Sequence, residues 1–128
     1  MQPRTPGLLW DIADAGGFIA AETAGVTFET YQLDRRLRHA VERDFEIIGE
    51  AVRRLVEHDP ATAARISGVP QIIAFRNVLA HGYDAVVDAK VWEIIRTFLP
   101  VLLSEVTALL EEETKRDSST SPSQAQEE

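Results

Sequence analysis

Residues 34–58 read DRRLRHAVERDFEIIGEAVRRLVEH and carry the clearest structural signal in the chain. Their larger apolar side chains recur at spacings of three and four residues, which is the pattern of one buried face of an α-helix. These side chains are Leu37, Val41, Phe45, Ile48, Val52 and Leu55. A second, weaker stripe runs through Ala40, Ile47 and Ala51. Two stripes predict two packing partners, such as another helix and another subunit.

The same periodicity predicts helices before and after this stretch and no strands. The predicted helices are residues 6–24, a short helix capped by Thr27, a short helix opened by Asp59 and Pro60, residues 70–81 and residues 88–113. Gly82 is a natural C-terminal stop for the helix that precedes it. We therefore expect an all-α bundle of four to five helices.

The last predicted helix is unusually apolar. One stripe contains Val91, Ile95, Phe98, Leu102 and Leu109, and the next contains Trp92, Leu99, Leu103, Val106 and Leu110. Pro100 lies inside it and should kink it or remove one hydrogen bond, at a cost of about 3 kcal/mol. So broad an apolar surface predicts burial on two sides, for which a homodimer is the simple explanation.

Composition limits the class of protein. The 128 residues fit one domain, 45% of them are hydrophobic, and the absence of cysteine excludes disulfides and thiolate chemistry. Neither a signal-peptide core nor a membrane-length apolar run is found, so we expect a cytoplasmic protein. We expect a helical domain over residues 1–113 and a disordered polar tail over residues 114–128.

The net charge of −8 is divided equally between the body of the chain, residues 1–110, and residues 111–128, which carry −4 each. The mildly acidic body argues against tight, nonspecific binding to nucleic acid, but it leaves room for a small basic cleft. Six arginines between residues 35 and 54 outnumber the acids among them. The simpler interpretation is that these arginines lie on a solvated helix face. The functional interpretation is that Arg43, one of them, contacts RNA.

The segment RNVLAHGY, residues 76–83, concentrates polar groups at the end of a helix. Asn77 and His81 are four residues apart and share a face. Arg76 and His81 are separated by about 140° around an ideal helix, so they converge only if the helix frays or the long arginine side chain bends back.

These groups suit phosphodiester cleavage. An arginine can bind phosphate oxygens and stabilise the charge that builds on phosphorus, while a histidine can transfer protons near neutral pH. One histidine cannot readily serve as base and acid at once, and a two-fold dimer would supply a second. By spacing alone the signal is weak, because an isolated histidine near a helix end is more often a cap or a packed polar residue.

Three regions in order resemble the HepT-like toxins of the HEPN superfamily. Residues 76–83 resemble the family's Arg-Asn-x-x-x-His-x-Tyr ribonuclease motif, and residues 43–51, RDFEIIGEA, resemble its second-helix signature. Residues 91–100, which begin Val91-Trp92 and end Leu99-Pro100, are similar to its final helix. The likeness covers residues 8–112.

This resemblance implies a dimeric HEPN-type helical bundle. It also implies that the protein is a toxin that acts as a metal-independent endoribonuclease without a cofactor. It implies catalytic roles for Arg76 and His81, a positioning role for Asn77, and Tyr83 as the residue to which a partner, a minimal nucleotidyltransferase antitoxin, transfers AMP. The alternative is a catalytically inactive HEPN module that binds a nucleotidyltransferase or a nucleotide.

A metal site at Glu46 and Glu50 is disfavoured, because no histidine lies at matching spacing on the same helix. Salt bridges from these carboxylates to Arg43, Arg53 or Arg54 are the expected arrangement.

Overall fold

The computed structural model describes residues 2–81 and 84–127, with the side chains of residues 84–86 and 117–127 outside the description. Within those ranges the chain forms seven α-helices and no strand. The helices are α1 (Thr5–Thr23), α2 (Phe28–Leu33), α3 (Arg35–His58), α4 (Pro60–Ala63), α5 (Val69–His81), α6 (Asp84–Thr97) and α7 (Leu99–Glu127). The all-α class is confirmed, but the expected four to five helices become five long helices and two short ones.

The early helix boundaries follow local capping signals. The side chains of Thr27, Asp34 and Asp59 each accept a hydrogen bond from a backbone N–H in the first turn of the next helix. Such caps satisfy donors that have no partner inside the helix. The predicted starts of α2, α3 and α4 are therefore confirmed.

The final predicted helix is disrupted at Pro100, as expected, but it forms two helices and not the single kinked helix that was predicted. Pro100 has no N–H and its ring would clash with the carbonyl of residue 96, so helix α6 ends at Thr97 and α7 begins at Leu99. Pro100 then lies in the first turn of α7, where a missing N–H costs nothing. The backbone of α7 continues to Glu127, so the disordered tail over residues 114–128 stays a prediction.

Helix α3 is the centre of the molecule. It packs most extensively on α1 and then on α5, while α7 packs on α1 and α6. The fully buried side chains at this centre are Leu9, Ile12 and Ile19 of α1, Val41, Ile48, Val52 and Leu55 of α3, Val91 of α6, and Leu99, Leu102 and Val106 of α7. The ten apolar side chains that form the two stripes of residues 91–110 are all buried or half-buried within one chain. The breadth of these stripes is thus explained without a second subunit.

The two tryptophans differ. Trp92 packs against Tyr31 with ring centroids 5.2 Å apart and holds α2 against α6. Trp10 is 59% exposed on α1, so it does not belong to the core of the chain. None of the helices in the described ranges is long and apolar enough to cross a membrane.

Candidate active site

Helix α5 carries three of the predicted site residues, and a glycine fixes where it begins. Gly68 has a φ of +71°, in the left-handed region that favours glycine, and a Cβ built on it would lie 2.7 Å from Cε2 of Phe98. The chain can therefore turn sharply against Phe98 before α5 starts at Val69.

The inner face of α5 packs against α3. Ile72 and Phe75 are buried, and the Phe75 ring meets Phe45 edge-to-face at a centroid distance of 5.4 Å. Aromatic pairs in this geometry add attraction beyond their buried area. This anchored face fixes the rotation of α5 and leaves Arg76, Asn77 and His81 exposed.

The side chain of Arg76 extends from α5 toward α3. Its Nη1 donates a hydrogen bond to Oε2 of Glu50 at 2.7 Å. Its aliphatic part passes over Gly49, where a Cβ would lie 3.4 Å from the Arg76 Cβ. The guanidinium is thus held beside α3, with the side chain still 45% exposed.

Asn77 and His81 lie on a different part of the same helix. Helix α5 continues to His81, so the four-residue spacing places both side chains on one face. In the described part of the chain no hydrogen bond joins them, and none joins His81 to Arg76. The intact helix separates the arginine and the histidine by about 140°, and the Arg76 guanidinium is hydrogen-bonded to Glu50 of α3.

Arg76 opens into a polar cleft of about 260 Å³ between the start of α1, α3 and α5. Arg43 also lines this cleft, and its Nη1 lies 3.4 Å from Oε2 of Glu46. Arg43 therefore shares a surface with Arg76, as an RNA contact would require, but it is paired with an acid of its own helix.

The predicted salt bridges of the two glutamates are confirmed. Glu46 pairs with Arg43, and Glu50 pairs with Arg53 and Arg54. The bond from Glu50 to Arg76 was not predicted, because these residues are 26 positions apart and no local spacing relates them. Among the described residues of the two ranges, no group of three His, Cys, Asp or Glu side chains could hold a metal ion.

Two predicted features lie outside the described residues. They are Gly82, expected to end the helix, and Tyr83, expected to receive AMP.

Known proteins resemble the chain across most of its length. It matches the family described as "Ribonuclease HepT-like" over residues 12–109, which include Glu50, Arg76 and His81. A protein of Caldanaerobacter subterraneus subsp. tengcongensis named "Putative RNase" is 34% identical over 98 residues, 75% of this chain and 85% of the relative. A protein of Methanocaldococcus jannaschii with the same designation is 28% identical over 100 residues, 77% of this chain and 89% of the relative.

No solved structure gives a significant match. The family match spans well over half of the sequence and includes the exposed face of α5. The chain belongs to the HepT-like ribonuclease family.

Proposed function

We propose that this protein is the toxin of a type VII-like toxin-antitoxin pair that acts in the cytoplasm. It is a metal-independent endoribonuclease that cuts RNA in a cleft between two subunits. The observation that carries the proposal is the exposed set of Arg76, Asn77 and His81 on a helix of a HepT-like ribonuclease. Arg76 and His81 have chemical tasks in RNA cleavage, and Asn77 positions them.

In the proposed reaction the ribose 2′-oxygen attacks the adjacent phosphorus. A bond forms between them, the bond from phosphorus to the 5′-oxygen breaks, and the products are a 2′,3′-cyclic phosphate and a 5′-hydroxyl. Arg76 stabilises the negative charge that builds on the phosphate oxygens, because a guanidinium presents donors that match them. One histidine accepts the 2′-hydroxyl proton and another protonates the leaving 5′-oxygen.

Two observations support a site built by two copies of the chain. Helix α5 carries a single histidine, His81, which helix geometry places about 140° from Arg76, whereas the reaction needs a base and an acid. Beside this surface, a mainly apolar groove of about 410 Å³ lies between α5, α6 and α7 and reaches Val78, which is 36% exposed. A second copy that covered this groove would lie next to Asn77 and His81.

Tyr83 comes two residues after His81, and we propose it as the residue that a minimal nucleotidyltransferase antitoxin modifies. Its phenolic oxygen would attack the α-phosphorus of ATP, lose its proton and release pyrophosphate, which leaves AMP on the ring. Each added nucleotide brings bulk and a negative phosphate to the site where RNA must bind. Modification would therefore block the toxin.

The test of the ribonuclease is RNA cleavage by purified protein in the presence of a chelator. We expect His81→Ala to lower the rate by about 10² to 10⁴-fold and Arg76→Ala by about 10² to 10³-fold. His58→Ala is the matched control, because His58 is also exposed but lies at the end of α3. A wild-type protein that leaves RNA intact, while still binding the nucleotidyltransferase, would establish the alternative of an inactive binding module.

The modification is tested by intact-mass measurement after co-expression with the nucleotidyltransferase and ATP. We expect one or more AMP-sized increments on wild type and none on Tyr83→Phe. An increment that persists in Tyr83→Phe would assign the modification to another residue.

A further inference from the structure

Three arginines converge on the carboxylate of Glu50. Its Oε2 accepts a hydrogen bond from Nη1 of Arg76 at 2.7 Å. Its Oε1 accepts one from Nη2 of Arg53 at 2.8 Å and one from Nε of Arg54 at 3.0 Å. Glu50 is therefore the shared anchor of an arginine cluster formed by Arg53, Arg54 and Arg76.

The cluster carries a local excess of positive charge. The hydrogen bonds from Arg53 and Arg54 lower the pKa of Glu50 to about 2, so its carboxyl is ionised at neutral pH. One negative charge then faces three guanidiniums, one of which also pairs with Glu57. Together with Glu57 the cluster keeps one positive unit of charge, and among the described residues Arg54 and Arg76 each donate from a single guanidinium nitrogen.

The cluster faces the polar cleft on one side only. Among the described residues that line the cleft are Arg54 and Arg76 but not Arg53. The side chains of Arg54 and Arg76 are 58% and 45% exposed, so both can reach a ligand. Of the three arginines that bind Glu50, Arg54 and Arg76 therefore line the cleft and Arg53 does not.

Two further acids line the cleft, which thus contains three acids and three arginines among its described residues. Glu46 lies beside Arg43, and Asp11 enters the lining from α1. Neither forms a salt bridge with the arginine cluster in the part of the chain that is described. Glu50 is therefore the anion that sets the direction of these side chains.

A role in helix stability alone does not explain the arrangement. Bonds from Glu50 to Arg53 and Arg54 are spaced three and four residues along α3, and exposed pairs of this kind contribute little to stability. The bond to Arg76 joins α3 to α5 and holds the one arginine that the cleavage reaction needs.

We propose that Glu50 is a positioning residue of the ribonuclease site, which orients Arg54 and Arg76 into the cleft, and that Arg54 binds a second RNA phosphate. This inference rests on the proposed ribonuclease function. Arg76 contacts the phosphate that is cut, and Arg54 contacts a neighbouring phosphate of the same strand. Two oriented guanidiniums hold the strand in register, so the scissile phosphate is presented in one geometry.

The experiment on Arg54 measures binding without cleavage. Its probe is a 2′-O-methyl oligoribonucleotide, which lacks the attacking hydroxyl, and its dissociation constant is measured as a function of salt concentration. We expect Arg54→Ala to weaken binding and to reduce the slope of log Kd against log salt by about 0.7, the value for one phosphate contact on a single strand. Arg53→Ala, which removes the same charge beside the same carboxylate, should leave the slope unchanged.

The experiment on Glu50 separates kcat from KM with cleavable RNA. We expect Glu50→Gln to lower kcat by about tenfold to a hundredfold, because a displacement of Arg76 by an ångström is enough for that loss. The KM should change by a smaller factor, since the arginines keep their charge. Thermal unfolding of the variant is the check that its fold is retained.

The outcomes distinguish failure of the proposed roles of Glu50 and Arg54 from failure of the proposed ribonuclease function. If Arg53→Ala and Arg54→Ala reduce the salt slope equally, or if Glu50→Gln cleaves RNA as fast as wild type or faster, Glu50 and Arg54 lack the proposed roles although the protein is a ribonuclease. If wild type does not cleave RNA, the ribonuclease function and this inference both fail. A reduced slope for Arg54→Ala alone, together with a kcat defect in Glu50→Gln, supports the inference.

Discussion

Gly49 of α3 and Arg76 of α5 are in near-contact at the point where the two helices cross. A Cβ built on Gly49 would lie 3.4 Å from the Cβ of Arg76 and 3.6 Å from its Cδ. The glycine thus provides the surface over which the arginine side chain reaches Glu50. Residues 49 and 50 of α3 and Arg76 of α5, which are far apart in sequence, are thus in direct contact.

This contact predicts a difference between two substitutions at Gly49. The methyl group of Gly49→Ala just fits, and alanine is a better helix former by up to about 1 kcal/mol, so the variant should be as stable as wild type or slightly more stable. Gly49→Val adds methyl groups that must displace Arg76, so RNA cleavage should fall by up to about 10²-fold. Urea denaturation and cleavage rates measure the two effects. Equal cleavage rates for the two variants would contradict the role assigned to this contact.

Much of the fold could be predicted because its signals are local. The apolar spacing of residues 34–58 gives the central helix, and the caps at Thr27, Asp34 and Asp59 give the starts of three helices. Each signal depends on side chains within a few residues of the backbone groups that they satisfy. The same reasoning places Asn77 and His81 on one face of α5.

Features that depend on distant parts of the chain could not be predicted. The apolar pattern runs through Pro100 without interruption, so the sequence predicts one kinked helix where the structure has two separate helices, α6 and α7. Trp10 lies in an apolar run of α1 but is 59% exposed, because α3 and α7 cover other sides of that helix. The bond between Glu50 and Arg76 likewise requires knowing that α3 packs on α5.

A close crossing of α1 and α7 predicts opposite outcomes for two adjacent glycines. A Cβ on Gly16 would lie 2.7 Å from Cδ2 of Leu103, whereas one on Gly17 would have no described heavy atom within 4 Å beyond its chain neighbours and the nearby backbone of α1. Gly17→Ala should raise the free energy of unfolding by about 0.5 to 1 kcal/mol, because alanine has less backbone freedom to lose.

At Gly16 the same helix gain is opposed by overpacking. We expect Gly16→Ala to be less stable than Gly17→Ala by about 1 to 3 kcal/mol. Urea denaturation of both variants gives the difference directly. If the two alanines were equally stabilising, the expected overpacking against Leu103 would have no cost.

The cap of α4 predicts a dependence of stability on pH. Asp59 accepts hydrogen bonds from the backbone N–H of Thr62 at 3.1 Å, the Thr62 hydroxyl at 2.7 Å and the Thr5 hydroxyl at 2.8 Å. The bond from the Thr62 hydroxyl is the main cause that lowers the pKa of Asp59 from 3.8 to about 2. Because the folded pKa is the lower one, this stabilisation is complete above about pH 4 and is lost as the pH falls toward 2.

Asp59→Ala should therefore lower the free energy of unfolding by about 1 to 2 kcal/mol at pH 7. The difference from wild type should shrink between pH 4 and pH 2. Asp59→Asn keeps an oxygen for the Thr62 N–H, so it should cost less at pH 7 while it removes the same pH dependence. A constant difference between wild type and Asp59→Ala across this range would mean that the carboxylate charge contributes nothing.

A site that needs two histidines, one from each subunit, predicts a non-linear loss of activity in mixed dimers. When wild type and His81→Ala subunits are exchanged at random in equal amounts, only about a quarter of the dimers carry both histidines, so activity should fall to about one quarter. Independent sites, each served by its own histidine, would keep about one half. Exchange with His58→Ala subunits is the control and should leave activity unchanged, since His58 lies on a different helix. Cleavage rates across the full range of mixing ratios distinguish the curves, and a straight line would show that each chain cuts RNA with its own histidine.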